Sequence, residues 1–138
     1  MYLIAFPLLI IPFALYNMIA FLLTLEFSTR LFDVPLLSGR SMPVSTGDVL
    51  VLMGVLLLYV EILKATRLSS KAIMDHVLSM IVFLAMTIEF IAVQRAATST
   101  FLILVALSFV DVIGGFTITI RTAQRDIALE PQERAVTS

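Results

Sequence analysis

Of the 138 residues, 60% are apolar and only 14% charged, with a net charge of −1 and a mean hydropathy of +1.08. Soluble domains carry about 45–50% apolar and about 25% charged residues, so this balance excludes an ordinary soluble fold. The acidic balance and the lack of a basic run argue against a nucleic-acid partner, and with no cysteine the chain cannot build a disulfide, an iron–sulfur site or a thiolate metal site.

The apolar residues fall into blocks, and a spanning helix needs roughly 20 of them. The first block predicts a helix over about 3–25, free of charge until Glu26. It has no basic n-region, no small-x-small cleavage site and too long an apolar stretch for a leader, so it reads as a retained helix. Pro7 and Pro12 lie inside it and predict a bend. Residues 26–47 form the exterior loop. Within it Leu31-Phe32-Asp33-Val34-Pro35-Leu36-Leu37 is too apolar for a free linker and too short to span, which predicts a segment resting at the interface or docked on the bundle.

The second helix is expected over 48–66, opened by a capping-box-like pairing of Ser45 with Asp48. A third is expected over 72–94 with Ser69 or Ser70 as cap, and a fourth over 98–122 capped by Thr98, Ser99 or Thr100. Residues 123–138 are a polar tail, helical to Pro131 and frayed beyond it.

These elements predict an all-α integral membrane protein, a four-transmembrane-helix bundle forming a single membrane domain. Orientation follows from the basic residues of the short loops. Lys64, Arg67, Lys71, Arg121, Arg125 and Arg134 fall on one side, against Arg30, Arg40 and Arg95 on the other. Six against three predicts an N-in/C-in, multi-pass protein of a bacterial inner membrane.

Ionisable groups within apolar helices are costly and usually mark function or a partner. At 1.5 Å per residue Asp111 lies roughly 2 Å from the middle of its helix, with Glu61 roughly 6 Å and Asp75 roughly 12 Å inward and Glu89 roughly 9 Å outward. Glu61 and Lys64 are one turn apart and can form an ion pair at the inner edge. Asp75 and His76 are expected at the wet interface; as helix neighbours they point apart and make a poor metal or catalytic dyad. Asp111, Glu89, Glu61 and Asn17 are the candidate intramembrane contacts to a partner or an ion. The pattern also aligns a small or polar stripe on each helix: Ala14, Asn17 and Thr24; Gly54, Glu61 and Ala65; Asp75, Ser79, Met86 and Glu89; Ser108, Asp111, Gly115 and Thr122.

No phosphate-binding loop, serine nucleophile motif or metal-ligand cluster is visible, so neither enzyme activity nor a cofactor is expected. His76 is the single histidine, and a bis-histidine haem would need a second subunit. Asp111 and Glu89 lack an internal cation in this reading. They are then either protonated and hydrogen-bonded, Asp111 with Asn17 or a threonine, or partnered from outside. Two functions follow. One is a small accessory or scaffold subunit of a larger membrane complex, whose partners are the lipid bilayer and other membrane subunits. The other is a homo-oligomeric proton- or cation-conducting channel or transporter that uses the intramembrane carboxylates.

Leu58-Tyr59-Val60-Glu61, with the spacing of the two helices after it, resembles the small phosphate-starvation-inducible family of four-helix bacterial inner-membrane proteins. The first block carries no such echo. The resemblance implies a four-helix membrane fold and no defined mechanism.

Overall fold

Three helices carry the architecture: α2 (Thr46–Ala65), α3 (Ser70–Ala92) and α4 (Ser99–Thr137). In each, a stretch is long and apolar enough to cross a membrane: Thr46–Ala65, Ile73–Ala92 and Ser99–Arg125. The structure is a computed structural model that describes residues 6–67 and 70–137, with side chains over 6–67 and 73–125. The expected cap at Ser69 and the Ser70 side chain lie outside the described residues.

The first helix departs from expectation. In place of a helix over 3–25, α1 covers Ile10–Asn17 and continues as one π-helical turn, Met18–Leu22. These 13 residues reach roughly 20 Å, short of a ~30 Å hydrocarbon core. Thr24, with φ 50°, turns the chain out of the helix, and the Leu25 N–H closes its end on the Ile19 carbonyl at 3.2 Å. Neither proline bends α1. Pro7 precedes it and Pro12 sits in its first turn, where a backbone N–H has no intrahelical partner to lose.

The expected exterior loop is a β-hairpin, in which Phe32 and Val34 alternate with Asp33 and Pro35, and Met42 and Val44 with Ser41, Pro43 and Ser45. Strand β1 (Arg30–Pro35) pairs antiparallel with β2 (Ser41–Ser45), Phe32 opposite Val44 and Val34 opposite Met42. Phe32, Val34, Met42 and Val44 thus share one apolar face, while Asp33 opposite Pro43 and Pro35 opposite Ser41 make the other. Gly39, at φ 87°, closes the turn by donating to the Leu36 carbonyl at 3.0 Å.

Capping chemistry fixes where the long helices begin. At α2 the Ser45 hydroxyl accepts from the Asp48 N–H at 3.2 Å and the Asp48 carboxylate accepts from the Ser45 N–H at 3.0 Å, a complete capping box. At α4 the Thr98 hydroxyl accepts from the Phe101 N–H at 3.1 Å. The backbone of α4 stays helical to Thr137, past the expected fraying point at Pro131.

The four helices alternate in direction, and α4 is central, packing along both α2 and α3. Their shared core is Tyr16, Val82, Met86, Phe101 and Leu104. Tyr16 stacks on Phe27 with ring centroids 4.3 Å apart and meets Phe101 at 4.6 Å. On α1 the buried stripe is Pro12, Tyr16 and Ala20; Ala14 and Thr24 are exposed and Asn17 is half-buried. The outward faces are Leu52, Leu56 and Leu63 on α2, Ile73, Ile81 and Ile88 on α3, and Leu102, Phe109 and Ile113 on α4. Apolar inside and out is the composition of a helical membrane protein.

Candidate functional site

The stripes of α2, α3 and α4 converge on one buried polar cluster. Glu61 (3% exposed), Asp75 (4%), His76 (6%), Ser79, Ser108 and Asp111 (5%) are all buried. Lys64 joins them, because the start of α3 and the N-terminal segment fold over its side chain and leave it 11% exposed. Its ammonium lies 3.0 Å from Glu61 Oε1 and 3.5 Å from Asp75 Oδ2, and donates to the Phe6 carbonyl at 2.6 Å.

Glu61 is held twice. Its Oε1 also accepts from the Leu8 N–H at 2.6 Å, an amide just ahead of α1. Lying outside the helix, this amide finds its acceptor in the Glu61 carboxylate. The expected Glu61–Lys64 pair is therefore present, but as part of a network that reaches three helices and the N-terminal segment.

Asp75 and His76 lie within the protein, not at a wet edge. They point apart as helix neighbours do: Asp75 towards Lys64, His76 towards α4. The His76 Nε2 lies 2.7 Å from the Thr119 hydroxyl, which itself donates to the Ala65 carbonyl at 3.2 Å. With its proton given to that carbonyl, Thr119 can only accept from Nε2, so the imidazole carries a proton there. The ring lies against Phe116 at 5.0 Å, in space that Gly115 leaves open.

Asp111 lies across from α2 and α3, with the charges of Glu61, Asp75 and Lys64 and the Ser79 side chain around it. Ser79 Oγ and Asp75 Oδ1 are buried and make no hydrogen bond of good geometry. The Ser79 hydroxyl is nevertheless within hydrogen-bonding reach of the Asp111 carboxylate, so α3 and α4 meet here through polar groups. Formally the cluster holds three carboxylates against one ammonium and one imidazole.

Comparison with known protein families, characterised proteins and solved structures finds no match. The resemblance at Leu58–Glu61 thus gains no support, and the chemistry has to be read from the side chains.

The remaining candidates lie elsewhere. Asn17 donates to the Phe13 carbonyl at 3.0 Å and to Glu89 Oε2 at 3.4 Å, near the opposite end of the bundle from Lys64. Asn17 therefore partners Glu89 and not Asp111. Close by, the Tyr16 hydroxyl donates to the Arg95 carbonyl at 3.0 Å and meets the Thr98 hydroxyl at 2.7 Å. Between the two polar groups lie the buried apolar side chains of Val82, Met86, Phe101 and Leu104. Sequence reasoning put Ser79 and Ser108 on the polar stripes without naming them as site residues, and it missed Thr119. Ser79 was legible on the Asp75 stripe, whereas Thr119 is placed by the packing of α3 on α4. Among the described residues, no three His, Cys, Asp or Glu side chains are grouped closely enough to hold a metal ion.

Proposed function

We propose that this chain is a multi-pass inner-membrane protein with its Lys64 end in the cytoplasm, and that it takes up and releases a proton at Asp111. The observation that supports this reading is the charge balance of the buried cluster. Glu61, Asp75 and Asp111 share one ammonium, Lys64, which lies closest to the first two. Bringing a third carboxylate charge into a buried group of this kind is expensive unless it is paired or neutralised. A proton neutralises it without a coordination shell, whereas a metal ion needs ligands that the described residues do not group together. His76, linked through Thr119 to the Ala65 carbonyl, gives a second protonatable group at the same end.

The apolar layer of Val82, Met86, Phe101 and Leu104 closes the cluster from the hairpin end. On this reading one chain offers a proton-binding site with an apolar layer on its hairpin side, and transfer across the membrane needs assembly or a rearrangement. That same layer favours the second reading, a small subunit that brings a protonatable group to a larger complex. The Lys64 ion pairs supply a cation to Glu61 and Asp75 and leave Asp111 and Glu89, the two acids that reading rests on, without one.

The test is reconstitution of the purified protein in liposomes under a pH gradient. Proton flux that is lost in Asp111→Asn, with the helical signal and oligomeric state unchanged, supports transport. A folded sample that carries no flux, together with a stoichiometric membrane partner in a mild-detergent pull-down, favours the subunit reading.

A further inference from the structure

At the opposite end of the bundle from the acidic cluster, two cavities share a wall. The first is a cleft of about 640 Å³ bounded by the end of α1, the approach to the hairpin and the starts of α2 and α4, and it carries Glu26, Asp48 and Arg95. The second is a groove of about 390 Å³ between the hairpin and the bundle, with Met42, Val44, Val51, Leu52 and Ile103 as its apolar lining. Asp48, Ser99 and Thr100 line both, so the charged cleft and the apolar groove adjoin across these three residues.

The charges of the cleft are of both signs. Glu26 and Asp48 each use one carboxylate oxygen internally, on Ser28 and on the Ser45 N–H, and keep further acceptor capacity. Arg95 is positioned by one hydrogen bond to the Ala20 carbonyl at 2.8 Å and by the Phe21 ring 5.7 Å away. Thr24, the single described non-glycine residue with positive φ, forms part of the cleft wall. Such a conformation is strained and persists where the surroundings enforce it.

Depth identifies the occupant. Both apolar stretches that border the site, Thr46–Ala65 and Ser99–Arg125, begin at it; on the membrane reading of these helices, that is the level at which lipid headgroups meet hydrocarbon. The groove runs from there along the first turns of α2 and α4, and its walls Leu52 and Ile103 are exposed on the outward, apolar face. A molecule seated here needs a head with both an amine and an acid, and an apolar tail that reaches into hydrocarbon.

We infer that the hairpin end of this protein is a binding site for one zwitterionic phospholipid. The amine of its headgroup lies against Glu26 and Asp48, its phosphate against Arg95, and one acyl chain in the groove under Met42. The inference rests on the membrane reading of the helices and is independent of proton uptake at Asp111.

Native mass spectrometry of protein equilibrated with a mixture of phosphatidylethanolamine and phosphatidylglycerol tests it. One phosphatidylethanolamine is expected to remain per chain, in preference to phosphatidylglycerol, in the wild type and in Asp111→Asn alike. Met42→Lys places a charge in the groove from a half-exposed hairpin position and is expected to lower that occupancy by about tenfold. Ile103→Trp, which fills the groove, should do the same, while Leu102→Trp on the adjacent exposed face should not. Glu26→Gln is expected to reduce the preference for the amine-bearing lipid. Retention of no lipid, equal retention of both, or occupancy unchanged in Met42→Lys and Ile103→Trp would overturn the inference. So would displacement of the lipid by free phosphoethanolamine, which would show a headgroup site without a tail site.

Discussion

Lys64 shows how far one side chain's position depends on segments remote in sequence. Three residues along the helix from Glu61, its expected role is a single pair at the edge of the bundle. Its ammonium instead donates to the Phe6 carbonyl and to Glu61 and forms an ion pair with Asp75. Removing one partner of a buried ion pair costs about 3–5 kcal/mol, because the other charge is left without compensation. Lys64→Met is therefore expected to destabilise the protein by about that amount, read by denaturant unfolding in detergent micelles. The double variant Lys64→Met/Glu61→Gln should recover part of the loss, since it also removes one of the stranded charges. Strictly additive losses would show that the pair is solvated and that the cluster is not sealed. Counting residues along α2 reveals how deep Lys64 starts. It cannot reveal that Phe6 and Asp75 are brought over it, and that difference separates an edge lysine from a buried one.

Among the elements, the long helices were the legible part and the first 45 residues were not. The stripes Gly54–Glu61–Ala65 on α2 and Asp75–Ser79–Met86 on α3 are buried as their spacing implies. Period 3.6 and the apolar-to-polar contrast both act there without competition. On α1 almost every residue is apolar, so contrast is absent. Its buried face is decided by ring packing of Tyr16 on Phe27 and Phe101, which composition does not signal. The hairpin was hidden because Leu36 and Leu37 run on from the apolar alternation of β1 and blur its period. Close approach between elements gives a prediction at this scale. A Cβ on Gly47 would meet Thr100 Oγ1 at 2.5 Å and the Phe27 carbonyl oxygen at 3.1 Å, a backbone atom already fixed by the Gly47 N–H. A Cβ on Gly54 would meet only the far ends of Leu107 at 2.9 Å and Leu104 at 3.3 Å, which can rotate away. Gly47→Ala is expected to cost about 1–3 kcal/mol through overpacking. Gly54→Ala should be near neutral, because relief of the contact is cheap and alanine is the better helix former by about 1 kcal/mol. Thermal melting of the two variants in the same detergent checks the order; equal melting temperatures would mean that the hairpin base is not held against α4.

For the molecule as a whole, the alternating helix directions convert a charge count into a statement about sides. The hairpin tip and the stretch of α4 beyond Ile120 lie at opposite ends of the same two long helices, α2 and α4. If those helices cross a bilayer, Ser38 and Gln124 must lie on different sides of it, whatever the shorter α1 does. The basic residues then choose which side is which. Lys64, Arg67, Lys71, Arg121, Arg125 and Arg134 mark the Gln124 end, against Arg30, Arg40 and Arg95 at the hairpin end, and a surplus of Lys and Arg in short loops is retained in the cytoplasm. Because the chain has no cysteine, one introduced thiol reports its own position without background. A membrane-impermeant maleimide applied to intact cells is expected to label Ser38→Cys, and to label Gln124→Cys only after permeabilisation. The reverse pattern would invert the bundle and place the Asp111 cluster nearer the outside, so that protons would enter from there. Labelling of both thiols in intact cells would contradict a spanning α2 and α4, and with them the lipid site at their shared start.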